Sequence, residues 1–238
     1  MSRPLISIVI PAWNHGAELV RCLASLEVQT YSPFEVIVVD DASTDGTREK
    51  LKAVHPKYPL RVIRLEKNSG APTARNRGAE ESKGSYLLFL DADIELRPHA
   101  LDSMIQALDR SGVQFAYPSF RFGWKLFKGF AFDAELLKKM PYIHTSALMK
   151  REVFPGFDES LKKFQDWDLW LTIVEKGGKG IWIPEVLFTV KTRKQGMSQW
   201  LPSLFHAVPW HWVGWMPQEL KKYRHWESIV KKKHKIGT

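Results

Sequence analysis

Apolar and polar positions follow two alternating periods through the first ~110 residues. Ile6-Ser7-Ile8-Val9-Ile10, Val36-Ile37-Val38-Val39 and Leu87-Leu88-Phe89-Leu90 are short apolar runs, the first two β-branched, that read as buried strands. Between the first two, Leu19, Cys22, Leu23 and Leu26 recur at helical spacing, with Asn14 as a start signal and an end near Gln29. Thr44 or Asp45 is placed to cap a second helix carrying Leu51 and Val54, and Arg61-Val62-Ile63-Arg64-Leu65 alternates as a strand. Asn68-Ser69-Gly70-Ala71-Pro72 opens a third helix that runs to about Ser82, with proline where a missing amide hydrogen costs little. Tyr86 to Leu90 is the next strand, and Leu101, Met104, Ile105 and Leu108 mark the helix after it. Strand and helix in alternation predict a mostly parallel α/β sheet covered on both faces.

Beyond Val113 the pattern loosens. Phe120 to Phe130 interleaves aromatics with cations and fits strand or loop equally. Ile143 to Met149 reads as a strand. From Asp166, a helix carries Trp167, Trp170, Leu171 and Val174 on one stripe and stops at Gly177-Gly178.

The strands release polar residues at their carboxyl ends: Pro11-Ala12-Trp13-Asn14, then Asp40-Asp41, then Asp91-Ala92-Asp93. In open α/β sheets, such ends build the ligand crevice. Asp91 and Asp93, one residue apart after an apolar strand, suit a hard divalent cation, which takes oxygen ligands and completes its shell with water and phosphate oxygens. An Asx-type turn is the competing reading.

The ordered set Ser7-Ile8-Val9-Ile10-Pro11-Ala12-Trp13-Asn14, Val38-Val39-Asp40-Asp41-Ala42-Ser43-Thr44-Asp45-Gly46-Thr47, Asn68-Ser69-Gly70, Ala74-Arg75-Asn76, Asp91-Ala92-Asp93, Gly156-Phe157-Asp158-Glu159 and Gln165-Asp166-Trp167-Asp168-Leu169-Trp170 resembles the family 2 glycosyltransferases over roughly residues 5 to 198. The resemblance implies an inverting enzyme of GT-A type, with a mostly parallel Rossmann-like sheet flanked by helices and an acceptor-side subdomain. Its implied divisions are a catalytic domain over residues 1–198 and an aromatic, basic tail over 199–238. Within the domain, 1–110 would bind a nucleotide diphosphate sugar and 111–198 a saccharide or lipid-linked saccharide acceptor. By position, Pro11 and Asp40 would line the base pocket with Asp41 nearby. Asp93 would hold Mn2+ or Mg2+ on the diphosphate, Asp91 would lie against the ribose or the metal shell, and Asp166 would be the catalytic base.

A helix start is also where aspartate caps, so Asp166 has a structural reading beside the catalytic one. One of Asp40 and Asp41 is expected to tether the following loop. Asn68, Gly70 and Arg75 are candidates to face the nucleotide, with Arg75 alternatively pairing with an acid. Gln165 stands where relatives often have glutamate. Arg193 or Lys194 is a candidate diphosphate clamp, in a loop without the histidine many relatives carry. Of the histidines, His144 has the best placement, near the implied acceptor side; it stays outside the expected catalytic set.

A formal charge of +9 favours anionic partners, and Cys22, the single cysteine, rules out a disulfide within the chain. No secretory-signal pattern opens the sequence, and no apolar stretch reaches the ~18 residues a membrane span requires, which reads as a cytoplasmic protein. Trp200, Trp210, Trp212, Trp215 and Trp226, half of all the tryptophans, share the tail with lysine clusters. That composition suits contact with the inner face of a membrane, or packing against the domain or a partner. Two other classes compete: a sugar-nucleotide-binding scaffold without turnover, motivated by Gln165, and a nucleic-acid binder, motivated by charge; no nucleic acid is expected.

Overall fold

The computed structural model describes residues 3–191 and 217–237. Nine strands form one sheet in the order β3-β2-β1-β4-β8-β6-β9-β5, with β7 paired to β6 outside that path. In chain order, β1 (Ile6–Ala12), α1 (Gly16–Glu27), β2 (Phe34–Asp40), α2 (Thr47–Lys52), β3 (Leu60–Arg64), α3 (Ala71–Glu81), β4 (Tyr86–Phe89), β5 (Ile94–Leu96) and α4 (Ala100–Ser111) make the first half. The second half holds β6 (Phe115–Phe122), β7 (Lys125–Phe127), α5 (Ala134–Lys139), β8 (Leu148–Lys150), α6 (Gln165–Glu175), β9 (Gly180–Val190) and a C-terminal α7 (Gln218–Lys233).

β1, β2, β3 and β4 are mutually parallel, so their carboxyl ends share one edge of the sheet. Both faces of β1, β2 and β4 are buried, as their continuous apolar runs require, whereas β3, at the sheet edge, is partly exposed. Ile6, Ile8, Ile10, Leu88 and Leu90 face a core with Leu19, Leu23 and Leu26 of α1 and Leu101, Met104 and Ile105 of α4. Val9, Leu87 and Phe89 face the opposite core, built from Ala79 of α3 and Trp167, Trp170 and Leu171 of α6. Each such side chain stabilises the fold by about 1.5–3 kcal/mol relative to exposure. Gly78 brings α3 close to the sheet: a Cβ there would lie 2.3 Å from Val9 Cγ1.

The second half mixes directions, β8 being antiparallel to β4 and β6, and β9 parallel to β6 but antiparallel to β5. Several expectations shift. Asn14 does not start α1; it sits at φ 55 and its Oδ1 accepts from the Thr44 amide, so the helix begins at Gly16. Asp45 serves Thr47 through both backbone and hydroxyl, and α2 starts two residues later than that aspartate. Of Ile143 to Met149 only the end is strand, because His144 Nδ1 accepts the Ser146 amide in a local turn. Phe120 to Phe130 resolves into a β6–β7 hairpin.

The described part of the tail folds back on the domain. Leu220 and Val230 of α7 are buried, Tyr223 packs edge-on against Phe164 at 4.8 Å, and Trp226 joins the α6-side core. The other four tail tryptophans, with Arg193 and Lys194, lie outside the described residues.

Candidate active site

The shared edge of β1, β2 and β4 meets the N-terminus of α6 across Arg75. This guanidinium is buried on α3, where Nη2 donates to Asp91 Oδ1 at 2.6 Å and Nη1 to Gln165 Oε1 at 2.9 Å. It also lies 5.2 Å from the Phe157 ring centroid, and its Nε has no hydrogen-bond partner. One side chain thus ties the end of β4 to the residue before Asp166. Burial works to raise the Asp91 carboxyl, but Arg75 and then His144 outweigh it and hold it below its ordinary range.

Gln165 is suited to this place as an amide. Its Oε1 accepts from Arg75 while its Nε2 donates to the Leu161 carbonyl at 2.9 Å, a second bond a carboxylate is unable to make. The residue before it, Phe164, holds a left-handed φ of 61, which is rare for an aromatic residue. Ring contacts with Trp167 and Tyr223 fix it. Asn14 and Ala42 also have positive φ, so three of the four such non-glycine residues among those described flank this edge. Backbone strain of this kind concentrates at functional sites.

Asp166 opens α6 and accepts from the Trp167 amide at 2.9 Å. Burial nevertheless pushes its carboxyl above the ordinary range, against the opposing pull of His144, that amide and Arg75. A raised carboxylate is a better proton acceptor than a solvated one. Burial lowers the His144 imidazole, against the opposing charges of Asp91 and Asp166. Because its Nδ1 accepts the Ser146 amide, its proton sits on Nε2. A lone histidine carries little signal in sequence; its nearness to the implied acceptor side is the one feature that marks His144.

Asp40, the last residue of β2, and Asp41 after it both hold loops. Asp40 is buried, with Oδ1 accepting the Ser43 amide at 2.9 Å and Oδ2 paired with Arg64. Asp41 receives the amides of Ser69 at 2.7 Å and Gly70 at 2.8 Å, which fixes the loop containing Asn68 at the start of α3. Gly70 meets that demand at φ 92. Pro11 pairs with Val39 in the β1–β2 ladder, at the same edge. Asn76 locks α3 to the far side of the site: its Oδ1 accepts the Phe157 amide and its Nδ2 reaches Phe157 O and Glu159, at 2.8–2.9 Å.

Asp91 and Asp93 bracket the turn between β4 and β5, in which the Ile94 amide bonds Asp91 O and the Lys191 amide bonds Asp93 O. Among the described residues no three His, Cys, Asp or Glu side chains gather as a metal cage. Asp91 and Asp93 offer at most two carboxylates, a donor set that suits only a cation taking the rest of its ligands from a diphosphate and water.

This architecture is the GT-A type of glycosyltransferase fold. The Glycosyl transferase family 2 model matches residues 7–155, and the chain belongs to that family. An uncharacterized glycosyltransferase of Haemophilus influenzae is 30% identical over 190 residues, covering 72% of this chain and 63% of the relative. Among solved structures, S. aureus TarS (residues 1–349) in complex with UDP-GlcNAc superposes with a TM-score of 0.72 at 18% identity, over 84% of this chain and 63% of that one. The mannosyltransferase PcManGT from Pyrobaculum calidifontis, in complex with GDP-Man and Mn2+, gives 0.68 at 22% identity, over 82% and 59%. The chain spans less than two thirds of the length of these relatives. No helix among the described residues is long and apolar enough to cross a membrane.

Proposed function

We propose that this chain is an inverting, metal-dependent glycosyltransferase that moves a sugar from a nucleotide diphosphate sugar to a hydroxyl of a saccharide or lipid-linked saccharide acceptor. The observation that carries this reading is the Arg75 bridge, which ties the acid turn after β4 to the start of α6, where the Asp166 carboxyl is raised. Asp166 takes the proton of the acceptor hydroxyl as its oxygen attacks the anomeric carbon from the face opposite the diphosphate. The new glycosidic bond forms as the carbon–oxygen bond to the diphosphate breaks, and the electron pair leaves with the phosphate. One displacement inverts the anomeric centre.

Donor binding falls to the strand ends. Pro11 and the loops fixed by Asp40 and Asp41 border the nucleotide, with Asn68 and Gly70 on the α3 side; the candidate diphosphate clamp, Arg193 or Lys194, lies outside the described residues. Asp93, with Asp91, would hold Mn2+ or Mg2+. Such a cation, when bound, stabilises the charge that grows on the leaving phosphate. Neutral His144 and Gln165 shape the acceptor side next to Asp166. A lipid-linked acceptor would bring the reaction to the cytoplasmic face of a membrane.

Release of nucleoside diphosphate from a panel of nucleotide sugars, with Mn2+ and a broad acceptor set, tests the reading. Turnover by the wild type and its loss, with donor binding kept, in Asp166→Asn supports it. Donor binding without turnover in the wild type would make the chain a scaffold instead.

A further inference from the structure

The β6–β7 hairpin carries an exposed surface made of residues to which no part in the transfer is assigned. Its two faces divide sharply. On the inner face, Phe120 stacks between Phe127 and Phe188, each at 5.0 Å with nearly parallel rings. The Lys125 ammonium lies 5.1 Å over the Phe127 ring. On the outer face, Arg121 pairs in register with Leu126, and Arg121 Nη1 reaches back to the Trp124 carbonyl at 3.3 Å. Gly123, at φ 58, turns the chain so that Trp124 stands at the tip, 90% exposed. Leu126 and Phe130 continue the row at 47% and 48% exposure, with exposed Lys128 between them.

We propose that this hairpin tip is a docking surface for an anionic lipid bilayer. Three features of the hairpin carry the assignment. An exposed indole beside a half-exposed leucine and phenylalanine forms the apolar part that an interface accepts, and tryptophan is the side chain most suited to the headgroup boundary. Exposed Arg121 and Lys128 flank them, and residues 110–132 contain no aspartate or glutamate to oppose an anionic surface. Within the hairpin itself the charge is of one sign.

Single-stranded nucleic acid fits less well, because it needs successive exposed rings as stacking platforms, and here Phe120 and Phe127 are spent on each other and on Phe188. Helix α7 is the other basic surface. Its apolar side is spent on the domain through Leu220 and Val230, which leaves Lys221, Lys222 and Lys232 exposed without an exposed apolar row. The proposal does not depend on the transfer chemistry.

Co-sedimentation of the full chain with vesicles decides it. The wild type should pellet with vesicles of phosphatidylglycerol and phosphatidylcholine in equal parts, and far less with phosphatidylcholine alone. Trp124→Ser should weaken binding about ten-fold, and Arg121→Gln combined with Lys128→Gln about 25-fold, from roughly five-fold per charge. Unchanged melting temperatures in both variants show that the fold is intact. Lys221→Gln with Lys222→Gln should keep most of the binding. No pelleting of the wild type, hairpin variants that bind as tightly as the wild type, or a loss confined to the α7 variant overturns the proposal. So does hairpin-dependent self-association in sedimentation velocity without vesicle binding, which would make a second copy the occupant.

Discussion

Replacing His234 with alanine should release the C-terminal helix from the helix that carries Asp166. His234 is the last turn's clasp: Nε2 meets Asp168 Oδ1 at 2.9 Å and Nδ1 meets Glu175 Oε1 at 2.8 Å, both on α6. Lys233 adds contacts to Asp168 at 2.8 Å and Asp158 at 2.7 Å. The His234 and Asp168 side chains are 3% and 4% exposed, so their contact is a buried, charge-assisted bond worth about 1.5–3 kcal/mol. Glu175 is half exposed and adds at most about 1 kcal/mol. Lys233 still neutralises Asp168 in the variant, which limits the cost to about 2–4 kcal/mol. At this chain length that lowers Tm by about 5–15 °C.

The pH dependence has a definite sign. Burial works to lower the imidazolium pKa, but the bonds to Asp168 and Glu175 outweigh it, so the folded value lies above the ordinary 6.5. The clasp's contribution is therefore complete below about pH 6.5 and is lost as pH rises through the folded pKa. Calorimetric melts of wild type and His234→Ala across that range should show the largest gap at the acid end, narrowing toward alkaline pH. A gap below about 1 °C, or one that stays constant with pH, would refute the assignment.

Asp41→Ala should destabilise the chain by about 1–3 kcal/mol in denaturant titration, since two partly buried loop amides lose a charged acceptor, and should weaken nucleotide binding as well. Gly78→Ala should cost about 1–3 kcal/mol by the same measurement, because the new Cβ meets Val9 and α3 must move off the sheet. Gln165→Glu should lower stability by about 1–3 kcal/mol, the Leu161 carbonyl losing its donor. In a pH–rate profile, turnover should rise as Asp166 ionises, with the acid limb displaced above the ordinary carboxylate range because burial raises that group.

The parallel half of the fold was legible because β1, β2 and β4 are apolar on both faces and short, with helical stripes between them. β9 was not, since Gly180–Val190 contains Pro184 and Glu185 and shifts register against β6. The β6–β7 hairpin resisted assignment because its aromatics lie on both strands and its cations on both faces. In the site, the acids were visible as residues released at strand ends. The roles of Gln165 and Asn76 were hidden, since each depends on a partner amide or carbonyl that only the folded chain supplies. The clasp was hidden for the same reason: His234 and Asp168 are 66 residues apart, and spacing carries no trace of their contact.

The account rests on one donor cleft at the ends of β1, β2 and β4, with Asp166 facing it from α6. Calorimetric titration of UDP and of GDP, each with Mn2+, into wild type, Asp93→Ala and Asp166→Asn tests that arrangement most directly. Binding to the wild type, its weakening at least ten-fold in Asp93→Ala and its retention within about two-fold in Asp166→Asn are the results expected. Undiminished binding to Asp93→Ala, or equal loss in both variants, would contradict it.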